Sequence, residues 1–237
     1  MFFFDPLWFV FALPAMFFAM WAQWRVRSAF QKWSQVPTGK QVNGMDVAQI
    51  LMRNEGLTHV SVERIGGMLT DHYDPRGKVM RLSDSSVQPS VAAAAIVAHE
   101  LGHAEQDKEG YFWLRARASI VGIANIGSNL GSLLFFVGLA LGALAGGGQG
   151  QLGFNIAVVG VVLFSAAVAF TLVTLPVEFN ASARAREMLT RNGLVTAQEQ
   201  QGVDAVLNAA ALTYVAAAAQ SVAQLLYFIT ILGRRRE

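Results

Sequence analysis

The chain contains no cysteine. That absence removes disulfides, iron–sulfur clusters, thiolate zinc sites and a cysteine nucleophile together. Charge is also scarce: Asp, Glu, Lys and Arg make up 14% of the 237 residues, against about 25% in soluble domains. A surface so poor in charge is not solvated all round. A hydrophobic content of 54% and a mean hydropathy of +0.40 fit a membrane protein instead. Neither sign of charge dominates. The net charge of +2 is too small for the clustered basic footprint of a nucleic-acid-binding surface, so no nucleic-acid partner is expected. Glycine, by contrast, is plentiful at 22 residues, as it is in transmembrane helices.

Four long apolar runs are present. Residues 7–24 are uncharged and rich in aromatics, and Arg25 and Arg27 follow them. Two more runs fill 119–176, joined by the uncharged, glycine-rich connector 145–150, and the last occupies 211–232. About 20 apolar residues span the hydrocarbon core as a helix, so each run is long enough. The expected organisation is a transmembrane anchor at 7–24, a polar region at 25–118 and a transmembrane hairpin at 119–176. A second polar segment at 177–210 and a transmembrane helix at 211–232 complete it. The first run has its basic residues behind it and no A-x-A cleavage site, so it reads as a retained anchor rather than a secretory signal. In the last run Gln220 and Gln224 stand four apart on one helical face. An amide stripe inside the bundle is expected there, with a partly inserted or surface helix as the alternative.

Twelve of the eighteen Lys and Arg lie from Arg25 to Arg117, and Arg184, Arg186 and Arg191 lie in 177–210. Two crossings separate these stretches, which therefore share one side. The positive-inside rule makes that side cytoplasmic, in a multi-pass protein of the cell (inner or plasma) membrane. The run Arg234 to Arg236 opposes the rule if the last segment crosses.

Within the polar region, 43–56 reads as an amphipathic helix with Met45, Ala48, Ile50, Leu51 and Met52 on its apolar side and Gly56 closing it. The alternation in 59–64 predicts a strand, and 79–82 a second, with 71–77 as the turn between them. Pro89 and Ser90 then introduce a helix from Val91 to Gln106 that is apolar on nearly every face up to His99, and so buried.

This helix carries His99-Glu100-Leu101-Gly102-His103, half of the four histidines in the chain. Residues at i and i+4 share a helical face, so the two imidazoles converge on one Zn²⁺. Glu100 flanks the metal as general base: it takes a proton from the metal-activated water and passes it to the leaving amine. Two unliganded His and a Glu in an apolar helix would carry a desolvation cost with nothing to offset it. A catalytic zinc takes three protein ligands and keeps an open position. No histidine follows His103, so a carboxylate must serve, from among Glu105, Asp107, Glu109, Glu178, Glu187, Glu199, Asp204 and Glu237. Those at 105–109 share the motif helix, where Asp107 suits a supporting role better than a converging ligand. Glu178 stands at the end of an uncharged run beside Pro176, where a carboxylate is costly unless paired. Asn180 and Ser182 lie near enough to orient it, and Pro176 is expected to break the preceding helix. Asp107 and Glu187 are the next candidates.

The stretches LTDHYDPR (69–76), VAHELGHAEQ (97–106), TLPVEFNAS (174–182) and AALTYVA (210–216) together resemble the neutral zinc metallopeptidases of bacterial membranes, the YugP-like family. The likeness extends from about residue 40 to the C-terminus. It implies a mainly α, multi-pass peptidase with about four transmembrane helices. It also implies a zincin-like, gluzincin-type catalytic region with a small β element, one zinc per chain, and His99, His103 and Glu178 as ligands. The implied partners are a peptide or protein substrate and the lipid bilayer. Weaker signals surround the motif. Gln106 is placed to support His103. His72, Tyr73, Arg184 and Tyr214 compete as oxyanion donors, and the strand beside 71–76 offers an edge to an extended peptide. The competing reading is a catalytically silent zinc-binding scaffold or interaction module, against which an intact Glu100 speaks. A transporter would carry its charges mid-span, where here there are none.

Overall fold

Helices dominate the computed structural model, which describes residues 5–144 and 149–234. In chain order the elements are α1 (Pro6–Trp33), α2 (Gly44–Asn54), β1 (Ser61–Ile65), β2 (His72–Asp74), β3 (Val79–Ser83), α3 (Val91–Glu109), α4 (Phe112–Leu144), α5 (Gln149–Arg191) and α6 (Ala197–Arg234). The helices α1, α4, α5 and α6 are each long and apolar enough to cross a membrane. A helix satisfies its backbone groups internally, which lipid demands. All four run past the apolar stretches that announce them. The break expected at Pro176 does not occur, and α5 continues through it to Arg191. A proline removes one backbone donor, and the following turns are held by the buried Val177, Ala181 and Ala185. Residues 145–148 of the connector, and Arg235 and Arg236, lie outside the described residues.

The chain divides into two compact units, and each long helix contributes to both. The first comprises Met1–Met20, Arg115–Thr174 and Tyr214–Glu237. In it α4 and α5 pack antiparallel through glycines. A Cβ on Gly131 would lie 2.7 Å from the backbone nitrogen of Phe164, and one on Gly160 would lie 2.5 Å from that of Phe135. Lipid tails supply no hydrophobic drive between helices, so such close backbone contact is what holds a pair together. Phe135 stacks on Phe228 of α6 with centroids 3.9 Å apart, and the Thr171 and Ser221 hydroxyls meet at 2.8 Å. Large apolar side chains point outward, among them Val10, Phe17 and Val162, each at least 60% exposed. Water would not tolerate that surface, whereas acyl chains do. The amide stripe is not inside the bundle. Gln220 is exposed and Gln224 half-buried, and both line a cleft of α1 and α6 with Trp8, Phe11 and Tyr227. The bulkier aromatics of α6 take the inner face instead.

The second unit comprises Trp21–Leu114 and Leu175–Thr213. Asn43 caps α2 in a capping box with Asp46, and Gly56 follows in the left-handed conformation at φ +64°. The sheet has the order β1-β3-β2, with β1 parallel and β2 antiparallel to β3. Its third strand falls inside the expected turn. Three residues are too few to show a period, and β2 is seated from outside itself: Asp71 accepts bonds from the Ser83 backbone N–H and hydroxyl, both at 2.7 Å. At the centre lies α3, whose Val91, Val97, Leu101 and Ala104 share one core with Leu51 of α2, Leu82 of β3, Leu189 of α5 and Leu207 of α6. The two stretches of the unit are also tied at the surface, where the Asn54 amide donates to Asn192 at 2.6 Å and Gly39 N–H to Glu199 at 2.5 Å.

Candidate metal centre

Helix α3 owes its ends to its own sequence. The Ser90 hydroxyl accepts from Ala93 N–H at 3.1 Å, and Gly110 closes the helix at φ 65°. Between these caps His99 and His103 sit one turn apart, half-buried, with ring centroids 4.8 Å apart and planes nearly perpendicular. Glu178 comes from α5 and is 2% exposed. Its Oε2 lies 3.2 Å from His99 Nε2 and 3.5 Å from His103 Nε2. Among the described residues this trio forms the one group of His and carboxylate side chains able to hold a metal ion. The spacing fits zinc. Tetrahedral bonds of 2.0–2.1 Å place ligand atoms about 3.3 Å apart, which matches both distances, and two imidazoles with one carboxylate are a zinc donor set.

The close approach of the two helices has an identifiable cause. A Cβ on Gly102 would lie 2.6 Å from the carbonyl oxygen of Ala181, so only glycine lets α5 lie against the motif. That contact brings Glu178 and Ser182 to the histidines. Each imidazole is also held from behind: Ser182 Oγ is 3.2 Å from His99 Nδ1, and Gln106 Oε1 is 3.1 Å from His103 Nδ1. Glu100 is buried beside them, and its Oε2 accepts the backbone N–H of Tyr73 on β2 at 2.8 Å.

Burial alone would depress the pKa of His103. The hydrogen bond and charge of Glu178, the charge of Glu100 and the contact with Gln106 outweigh it and raise the pKa above the ordinary imidazole value. The site therefore favours positive charge at His103. Tyr73 is pushed upward by burial and then by its bond to Asp107, so its phenol remains a donor.

The other acids are occupied elsewhere. Asp107 accepts from the Tyr73 hydroxyl at 2.7 Å and pairs with Lys78 at 2.5 Å, so its supporting role reaches the β-sheet rather than His103. Glu105 and Glu109 pair with Arg184 at 2.9 and 2.6 Å. Glu187 pairs with Arg191, Asp204 with Arg186, and Glu199 accepts Thr196 N–H at the start of α6. Glu237 lies outside the described residues. Asn180 and Ser182 bond to Gln106 and His99 rather than serving Glu178 as expected. Of the oxyanion candidates, His72 is exposed, the Tyr73 hydroxyl is turned to Asp107 and Arg184 is held by its two acids. The backbone contact of Tyr73 to Glu100 escapes sequence reasoning, because a backbone donor leaves no trace in residue type.

Two comparisons with known proteins bear on the family. The family model described as "Putative neutral zinc metallopeptidase" matches residues 8–233. "Putative membrane protease YugP" of Bacillus subtilis (strain 168) is 42% identical over 226 residues, which cover 95% of this chain and 96% of that relative. No solved structure gives a significant match. A family match across almost the whole chain, joined to a relative of that identity and coverage, places the chain in the neutral zinc metallopeptidase family.

Proposed function

We propose that the protein is a membrane-embedded zinc peptidase of the gluzincin type. In this reading His99, His103 and Glu178 hold one zinc ion per chain, and Glu100 is the general base. The observation that carries it is the convergence of two Nε2 atoms on one buried carboxylate at zinc-like spacing. When bound, zinc supplies Lewis acidity and makes water a better nucleophile near neutral pH. The protein side of the chemistry follows from Glu100. Tyr73 N–H fixes its Oε2, which leaves Oε1 to take a proton from the attacking water. Glu100 then returns that proton to the amine nitrogen as the C–N bond breaks. Strand β2 lies at the sheet edge and reaches Glu100 through its backbone, so an extended peptide laid along it brings a carbonyl to the base.

The test is purified protein in nanodiscs, assayed for zinc content and for cleavage of an unstructured protein substrate. Glu100→Gln keeps about one equivalent of zinc, as a base rather than a ligand would, and loses hydrolysis; His99→Ala and His103→Ala lose both. A chelator abolishes wild-type cleavage and added zinc restores it. Loss of zinc from Glu100→Gln overturns its role. Zinc binding in wild type without hydrolysis that depends on Glu100 leaves the scaffold reading.

A further inference from the structure

Gln106 is wholly buried on α3, one turn beyond His103. Its side chain makes three contacts: Oε1 to His103 Nδ1 at 3.1 Å, and Nε2 to the Val177 carbonyl at 2.8 Å and to Asn180 Oδ1 at 2.9 Å. Which end of an amide is oxygen must be argued from its neighbours, and here the neighbours decide. Arg184 Nε, a group that can only donate, lies 2.8 Å from Asn180, so the Asn180 atom facing it is the oxygen. That oxygen only accepts, so the Gln106 atom beside it is the nitrogen. The Val177 carbonyl, also only an acceptor, requires the same orientation independently. Gln106 therefore presents its oxygen to His103, and an oxygen there requires a proton on Nδ1. With Nδ1 holding its proton, Nε2, which faces Glu178, is the ring atom that can exchange a proton for a metal. Glu105 and Glu109 anchor the start of the chain of bonds by holding Arg184.

We propose that Gln106 is a positioning residue, the last link of a donor–acceptor relay from Arg184 through Asn180. The relay sets His103 as its Nδ1–H tautomer and fastens the Glu178 segment of α5 to the motif helix. Ser182 plays no such part for His99, because a hydroxyl can donate or accept and so fixes no tautomer. The relay is a property of the metal-free protein; its use as a metal-site device rests on the zinc reading above.

Two measurements keep those claims apart. In metal-free protein labelled with ¹⁵N-histidine, the ring nitrogen shifts of neutral His103 report the tautomer. Above the pH at which the ring becomes neutral, wild type shows Nδ1–H and Gln106→Glu, whose carboxylate still accepts there, keeps it, whereas Gln106→Ala shows a mixture or Nε2–H. Gln106→Glu thus separates the two roles, since its carboxylate accepts from Nδ1–H but confronts the Val177 carbonyl and Asn180 oxygen with no donor, and so loosens α5 alone. Asn180→Asp, which offers only acceptors, and Asn180→Leu, in which the Val177 carbonyl still holds the Gln106 nitrogen, both retain the Nδ1–H signature. Zinc titration then shows affinity reduced roughly 10- to 100-fold in Gln106→Ala, the range for loss of a group that orients a ligand. A wild-type Nε2–H signature overturns the relay even if zinc binds. So does a Gln106→Ala protein with unchanged tautomer and affinity. Should Gln106→Ala fail to fold, Gln106→Leu decides, and an unchanged Nδ1–H signature in it overturns the proposal. A wild-type Nδ1–H signature without zinc binding supports the relay and overturns the zinc reading alone.

Discussion

Glu178 is a buried carboxylate whose neighbours are two imidazoles. A buried anion is tolerated only when paired or bound to a cation. Replacement by alanine should therefore abolish stoichiometric zinc binding, measured on protein that still inserts and purifies as a single species. Zinc retention in Glu178→Ala would place the third ligand elsewhere. Ser182→Ala should lower zinc affinity by about tenfold, at the mild end of such supporting effects, because water can replace a lone hydroxyl. Tyr73 gives a pH signature. Its phenol pKa is raised in the folded state by burial and by Asp107, so the native protein keeps a proton that the unfolded chain loses near pH 10. The associated stability is complete below that pH and declines as pH rises above it. Thermal unfolding of wild type and Tyr73→Phe between pH 8 and 11 should show the steeper decline in wild type. Parallel profiles would remove Tyr73 from the account. At this scale the sequence is most legible where chemistry and spacing coincide, as in His99, Glu100 and His103. It is least legible where a backbone group acts, as at Tyr73, or where the partner lies on another helix, as for Gln106 and Asn180.

Glycine sets the distances between helices in both units. At Gly102 a side chain would collide with the Ala181 carbonyl, and in Gly102→Val the helix α5 must retreat. Overpacking of this kind costs about 1–3 kcal/mol. The damage to geometry should exceed the damage to stability, with zinc binding lost while the unfolding transition survives. If Gly102→Val binds zinc like wild type, the close approach is not what builds the site. Gly131→Leu offers the corresponding test on the α4–α5 pair, away from the site, where lower thermal stability is expected with no direct clash in the metal centre. Apolar run length revealed the four long helices, and Pro89-Ser90 foretold the start of α3. It could not show that α5 persists through Pro176, because buried alanines on the far side of the proline, not local propensity, sustain that turn. Strand β2 was hidden for a similar reason, since Asp71 and Ser83 seat it by contacts distant in sequence.

For the molecule as a whole, orientation in the membrane is the next measurable quantity. The stretches 25–118 and 177–210 meet through Asn54 with Asn192 and Gly39 with Glu199, so both lie on one side. From the charge pattern we propose that this side is the cytoplasm. Single cysteines introduced near Lys40 and near Arg191 into this cysteine-free chain should both resist an impermeant thiol reagent in intact cells and react after permeabilisation. Labelling of only one of the pair from outside would contradict the shared side; labelling of both from outside would reverse the orientation alone. Loop charge carried this much in the sequence, whereas the exposed placement of Gln220 did not follow from its spacing. That depended on which face of α6 its aromatics occupy, a matter settled by Phe228 and its stack with Phe135.

The bond between His99 and Glu178 closes over 79 residues of sequence. Time therefore enters the design. A ribosome that has just finished α4 has already released His99, Glu100 and His103, yet the carboxylate that would complete their set is still untranslated. Until α5 follows, the histidines have only part of a donor set, and a chain stalled or cut short in that interval is disarmed. On the proposed reading as a peptidase, such an order of events spares the cell that makes it: the last ligand to arrive is the one that completes the metal site.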